Sequence, residues 1–256
     1  MITSLRAKEI DIGIGLTEGW VAGLGKTQSS NNGGYKLVGT YVESPLCWAL
    51  STGAKRSDIK SVSDVKGGKI GVSRIGSGSY VMGFVLADQR GWLKVGENPF
   101  EVVVLDDFKK LRGGVNAGMA DFFMWEHFTS KRYYDSGEIK RIGEIYTPWS
   151  SWKIVAREPD DNRIEEAMEK INEGIRHFKE NPEEAVRYIS TELDYSEEDA
   201  REWLKTVRFA EDVRGVDNAV IDKTIEILRK AGVLEARYVS SEDMVTIKRQ
   251  SKAQSS

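Results

Sequence analysis

Up to about residue 157, short runs rich in Ile, Val, Phe and Tyr alternate with longer segments whose apolar positions recur every three to four residues. The runs IDIGIGL (10–16), YKLVGTYV (35–42), KIGVS (69–73), FEVVVL (100–105) and ADFFMW (120–125) predict strands. VMGFVLADQRGW (81–92) and DDFKKLRGGVNAG (106–118) predict helices between them. Such alternation predicts an α/β sheet flanked by helices. Beyond about Asp160 the pattern turns helical. Ile164, Ala167, Met168, Ile171, Ile175 and Phe178 fall on one face of a helix. Asn181 is placed as the next N-cap, with Pro182 first in the helix and Glu183 and Glu184 at its positive end. Ser196 with Asp199 predicts a further cap, and a last helix spans about 218–230.

Two stretches punctuate this pattern. SVSDVKG (61–67) predicts a short helical piece turning through Gly67-Gly68 into a new strand. GEIKRIGEIYTPWSSWKIVAREP (137–159) predicts two extended runs around Pro148. The chain is expected to leave a first lobe near Ser51–Gly53 and to return to it near Trp149–Trp152. SSNNGGY (29–35) predicts a loop, and the polar end from Arg249 to Ser256 a disordered tail.

Length and composition narrow the choice without naming a function. The 256 residues suffice for two lobes with cores of their own. Apolar residues make up 40% and charged residues 30%, and a net charge of -3 gives no reason to expect a nucleic-acid partner. The single cysteine, Cys47, excludes an internal disulfide framework and a cysteine-rich metal site. No segment approaches the ~20 apolar residues of a membrane span. MITSLRAKEIDIG lacks a signal-peptide core.

The candidate chemistry sits at strand ends. In IGVSRIGSGSY (70–80) a strand runs into Gly76, Ser77, Gly78 and Ser79, where a helix begins. Unpaired amides and the helix dipole there suit a carboxylate, sulfonate or phosphate; alternatively Ser77 or Ser79 only caps the helix. GLGKT (23–27) is not a phosphate loop, because Trp20 stands where that motif needs glycine. Thr17, Glu18 and Trp20 follow the carboxyl end of the first strand, where ligands bind in open α/β sheets. Thr17 and Glu18 offer hydrogen bonds and Trp20 a flat apolar wall; the alternative makes Glu18 a first-turn charge and Trp20 core packing. Ser44, beside Pro45, is expected at a cleft, with Trp48 buried. Trp125 and Glu126 would suit an aromatic or cationic ligand. Trp149 adds a fourth tryptophan beside a turn. No spacing of a catalytic triad or metal motif occurs, so no catalytic residue, metal or cofactor is assigned, and metal ligands would have to converge by fold alone.

Taken together, IDIGIGLTEGWVAG, GTYVESPLCWAL, KSVSDVKGGKIGVSRIGSGSYVM and the helical end with NPEEAVRYI resemble the type 2 periplasmic-binding-protein fold. Within it they are most similar to the fungal and bacterial Ca3427-like group, relatives of ABC-transporter substrate-binding proteins for nitrate, sulfonates and thiamine precursors. The resemblance extends to about residue 235. It implies two α/β lobes closing on a small ligand, with lobe 1 over 1–51 and 149–248, lobe 2 over 52–148 and a tail over 249–256. It places Thr17, Glu18, Ser44, Ser77 to Ser79, Trp125 and Trp149 around a cleft. Relatives begin with a strand–helix–strand unit that this sequence lacks, so the first lobe is expected to be truncated. The implied function is binding of a small organic anion or heteroaromatic molecule, as a non-enzymatic solute-binding protein or a cytosolic relative of one. A transporter partner is expected only if the chain is exported, and the cytoplasm is the expected location. A thiamine-pyrimidine synthase on the same fold is disfavoured by the absence of a cysteine-rich motif, and a shortened non-binding relative is the third possibility.

Overall fold

The computed structural model describes residues 1–27, 33–94, 97–193, 195–235 and 239–249. Most of the loop predicted over 29–35, and the tail predicted beyond Arg249, lie outside the described residues. The strands are β1 (Ile12–Leu16), β2 (Lys36–Val42), β3 (Cys47–Gly53), β4 (Lys69–Val72), β5 (Glu101–Val104), β6 (Phe122–Glu126), β7 (Ile139–Tyr146) and β8 (Trp152–Ala156). The helices are α1 (Ile2–Arg6), α2 (Thr17–Gly25), α3 (Gly78–Gln89), α4 (Phe108–Asn116), α5 (His127–Asp135), α6 (Arg163–Glu180), α7 (Pro182–Glu192), α8 (Glu197–Thr206) and α9 (Asn218–Lys230). A 3₁₀ turn over Val62–Val65 carries the predicted short helical piece, with Ser61 and Asp64 capping each other.

The chain forms two compact units, one of Met1–Pro45 with Pro148–Ser256, the other of Leu46–Thr147. The sequence places the outward crossing six residues later, near Ser51–Gly53. The difference lies in β3, which pairs on one side with β6 and on the other with β7 and so belongs wholly to the second unit. Both crossings fall at a proline, Pro45 and Pro148, which cannot donate to a ladder.

In the first unit β8 is the central strand, antiparallel to β1 and to β2. Side chains alternate across it. Ile154 and Ala156 face a core with Val38, Val42, Ile164, Met168 and Ile175, the last three on α6. The face of α6 expected from its spacing is thus the face that packs. Asn181 is the N-cap residue of α7, with Pro182 first in the helix as expected, but its side chain makes no capping bond. Its side-chain amide donates instead to the carbonyl of His177 at 2.8 Å, at the end of α6. Ser196 behaves as expected, accepting from the Asp199 amide at 3.0 Å and donating to its carboxylate at 2.8 Å. Ser196→Ala is expected to lower stability by about 1 kcal/mol, read from a chemical-denaturation midpoint.

The second unit is a five-stranded mixed sheet in the order β5-β4-β6-β3-β7. β5, β4 and β6 run parallel, while β3 is antiparallel to β6 and to β7. α3 is buried along almost its whole length, from Val81 to Ala87, as an apolar run without a polar face should be. α4 closes a second cluster with Leu111 and Val115 against Phe123, Leu105 and Ile139.

Candidate functional site

In the first unit, the segment 149–151 gathers four of the sequence-predicted residues. Thr17 opens α2, donating its amide to the Ser151 carbonyl at 3.0 Å and its hydroxyl to the Ser150 carbonyl at 2.6 Å. Ser44 is buried rather than exposed. Its carbonyl accepts from the Ser151 hydroxyl at 2.9 Å, and its own hydroxyl accepts from the Arg208 amide at 3.0 Å. Trp149 is buried too, and its indole N–H donates to Glu18 Oε2 at 3.1 Å. Ser44 and Trp149 therefore hold the segment in place, and neither presents a free side chain to a ligand.

Trp20 corrects the expectation of a ligand wall. It is 3% exposed, meets Tyr35 edge-on at 5.4 Å, and donates to the Lys153 carbonyl at 3.3 Å. Its indole lies against β1 where Gly13 and Gly15 leave room; a Cβ at either would come within 3.1 and 3.0 Å of the ring. The alternating glycines of IGIGL are thus the seat of a core tryptophan.

Glu18 is the exception in this group. It is 2% exposed, and its Oε1 has no hydrogen-bond partner among the described residues. Burial pushes its carboxyl up to about 7, against the smaller opposing effects of its hydrogen bonds and of Lys153. Lys153, which the sequence did not single out, lies fully buried in β8 with its ammonium donating to the Ser150 carbonyl at 3.1 Å. Burial pulls it down to about 7. A lysine inside the apolar run WKIVA was the available signal; only the pairing of β8 with β1 shows what lies opposite.

In the second unit, Gly76 takes a left-handed φ of 76° and turns the chain into α3. Ser77 is the N-cap and accepts from the Tyr80 amide at 3.3 Å; its hydroxyl also meets that of Ser79 at 3.0 Å. Both serines are 2% exposed. The capping alternative therefore describes Ser77. The amides of Gly78 and Ser79 occupy the first helical positions and have no intrahelical acceptor. Trp125 stays half-buried, stacked on Phe108 at 4.9 Å with ring planes 14° apart. Glu126 does not serve as a free carboxylate: it caps α5, accepting from the Phe128 amide at 3.0 Å and the Thr129 amide at 2.6 Å.

Topology relates these two stretches. The chain passes from β4 through α3 to β5 on one side, then through α4 back to β6 on the other. The order reverses between β4 and β6, and the carboxyl ends of adjacent parallel strands carry the 76–79 turn and Trp125. In open α/β sheets that crevice is where ligands bind.

The fold also brings together Cys47, His127 and Glu144, whose ligand atoms lie within 4.8 Å of one another. No motif spacing announced this convergence; it arises where β3 and β7 meet the junction of β6 with α5.

The Ca3427-like PBP family model matches residues 48–145. The chain is 41% identical to the Candida albicans CA3427 gene product, described as defining a family with the generic periplasmic-binding-protein fold. That likeness covers 98% of this chain and 85% of the other, with a TM-score of 0.83. The alkanesulfonate-binding protein SsuA of Xanthomonas axonopodis pv. citri, bound to MOPS, is 13% identical over 94% of this chain and 82% of its own, with a TM-score of 0.73. The periplasmic aliphatic sulphonate binding protein SsuA of Escherichia coli is 15% identical over 99% and 81%, with a TM-score of 0.69. These two likenesses show the fold. A comparison with curated proteins finds no match.

Proposed function

Because the chain belongs to the Ca3427-like family of the periplasmic-binding-protein fold, we propose that it binds a small organic anion, with the amino end of α3 receiving the acidic group. The observation that carries this reading is the reversal of strand order between β4 and β6 in the second unit. There the Gly78 and Ser79 amides, at the positive end of a 12-residue helix, stand at the carboxyl edge of parallel strands. Helix dipole and free amides favour a negative group at such a point. Sulfonate is the first class to test, since the two SsuA proteins of like fold are named for binding sulfonates. Trp125 is the one tryptophan among residues 20, 48, 125 and 149 that keeps exposed surface, and it is the ring on which a heteroaromatic ligand would lie. The role is that of a binding protein without catalysis. A transporter partner belongs to this reading only for an exported form.

The test is calorimetric titration with an alkanesulfonate, an aliphatic carboxylate and a thiamine-type pyrimidine. Ser77→Ala combined with Ser79→Ala is expected to weaken anion binding about tenfold, the loss of one charge-assisted hydrogen bond. Loss of the cap alone should lower stability by about 1 kcal/mol. Unchanged affinity for every bound anion would remove the two serine hydroxyls from the site.

A further inference from the structure

Cys47 opens β3, His127 follows the last residue of β6, and Glu144 lies in β7. β3 is the strand between the other two. Its ladder with β6 ends at Trp48 opposite Glu126; Cys47 precedes the one, and His127, which opens α5, follows the other. On the other side Cys47 pairs with Tyr146 and Ala49 with Glu144, so Glu144 is the diagonal neighbour of Cys47. Diagonal residues of paired strands share a face, and the His127 ring lies within 4.8 Å of both at the β6–α5 junction. A thiol, an imidazole and a carboxylate, far apart in sequence, thus project from one corner of one sheet.

Their contacts are incomplete. The Cys47 thiol donates to Glu144 Oε2 at 3.5 Å. Glu144 also pairs with Arg141 and accepts from the Tyr146 hydroxyl at 3.3 Å. His127 Nδ1 is shielded from solvent and has no hydrogen-bond partner among the described residues. A shielded polar atom left unpaired costs free energy that a ligand at that atom would recover.

We propose that Cys47, His127 and Glu144 form a binding site for a divalent cation of the zinc type. Mixed sulfur, nitrogen and oxygen donors select borderline metals such as Zn²⁺ and Co²⁺ and disfavour Mg²⁺ and Ca²⁺, which take oxygen alone. Bonds of about 2.0–2.3 Å place the donors of a tetrahedral site under about 4 Å apart. The observed limit of 4.8 Å therefore closes with side-chain rotations of about an ångström. Three protein donors leave one position open to water or to an added ligand. On binding, the Cys47 S–H bond breaks, sulfur bonds to the metal, and one proton passes to solvent for each ion. Arg141 keeps its pairing with the carboxylate and orients it, as an outer partner does. This site is separate from the α3 anion reading and stands or falls without it.

The experiment titrates the reduced, metal-stripped full chain, free of any histidine tag, with Co²⁺. Saturation at one equivalent is expected, with a thiolate-to-cobalt charge-transfer band, the strong visible bands of tetrahedral cobalt, and one proton released per ion. Zn²⁺ should bleach these bands and Mg²⁺ should not. Cys47→Ser should abolish the charge-transfer band. His127→Asn and Glu144→Gln should each weaken binding, in Zn²⁺ competition, by at least ~100-fold, the upper end of what loss of an outer partner costs. Metal-free melting curves of the three variants establish that each is folded before its titration is read. The proposal is overturned if folded wild-type protein gives no saturable band. It is equally overturned if His127→Asn or Glu144→Gln binds Co²⁺ as tightly as wild type, which would describe a lone surface thiol.

Discussion

Glu18→Gln is expected to make the protein more stable at pH 8, and the gain should vanish below about pH 4.5. The wild-type carboxyl titrates near 7 in the folded chain because burial disfavours its charge. Between 4.5 and 7 the folded state therefore holds more protons than the unfolded state, and stability falls as pH rises through that window. The variant lacks this loss, so its advantage grows across the window and levels off above it. The size is of order 3 kcal/mol, from a shift of a few units at about 1.4 kcal/mol each. Lys153→Met works in the other direction along the pH axis. Lys153 is pulled down to about 7, so between 7 and 10.5 the unfolded state holds the extra proton and wild-type stability rises with pH. The methionine should stabilise below 7 and lose its advantage above that. Removing one member of a buried ion pair usually destabilises by several kcal/mol, because the partner charge is stranded. Here the survivor can become neutral near pH 7 instead, which is the less costly course for a buried group. Denaturant unfolding from pH 4 to 10 of both variants and their combination checks this. Difference curves that are flat with pH, or single variants much less stable than wild type at pH 7, would show that both groups stay charged in the folded chain instead.

That pair also shows where the sequence stops being legible. Strand runs, helix faces and the cap at Ser196 were readable because each depends on neighbours within a few positions. So was α9, whose bounds of Asn218–Lys230 follow from an amphipathic period ended by glycine. The GSGS turn was readable for the same reason, since a strand, a left-handed glycine and a capping serine are local chemistry. The polar contacts of Thr17, Ser44 and Trp149 with partners more than a hundred positions away were not. Those residues were singled out as ligand contacts for standing at strand ends. In the fold their hydrogen bonds go to their own chain. The convergence of Cys47, His127 and Glu144 escaped notice because spacing along the chain says nothing of which strands become neighbours. Glu126 was misjudged for a simpler reason. α5 begins immediately after β6, and the carboxylate at that junction satisfies amides that would otherwise lack partners.

Trp20 and Trp125 separate core from site most sharply, and their alanine variants should part company. Trp20→Ala removes an indole that fills the space over Gly13 and Gly15, touches Tyr35 and donates to the Lys153 carbonyl. The glycines cannot close the gap, since neither has a side chain to move into it. The expected cost is about 3–5 kcal/mol, at the upper end for a large aromatic. That is a large share of the ~5–15 kcal/mol by which domains are stable, so the first unit should unfold at far lower denaturant. The fluorescence and circular-dichroism transitions of the two units should separate. Trp125→Ala gives up a half-buried ring and one stacked partner, and should cost no more than about 2 kcal/mol. If a ring-bearing anion lies in the crevice between β4 and β6, Trp125→Ala should weaken its binding tenfold or more, at about 1.4 kcal/mol per decade. Aliphatic sulfonates should be affected less. Stability is measured by denaturant titration and affinity by calorimetry on the same samples. A Trp20→Ala protein as stable as wild type but unable to bind would restore Trp20 to the ligand site and remove it from the core.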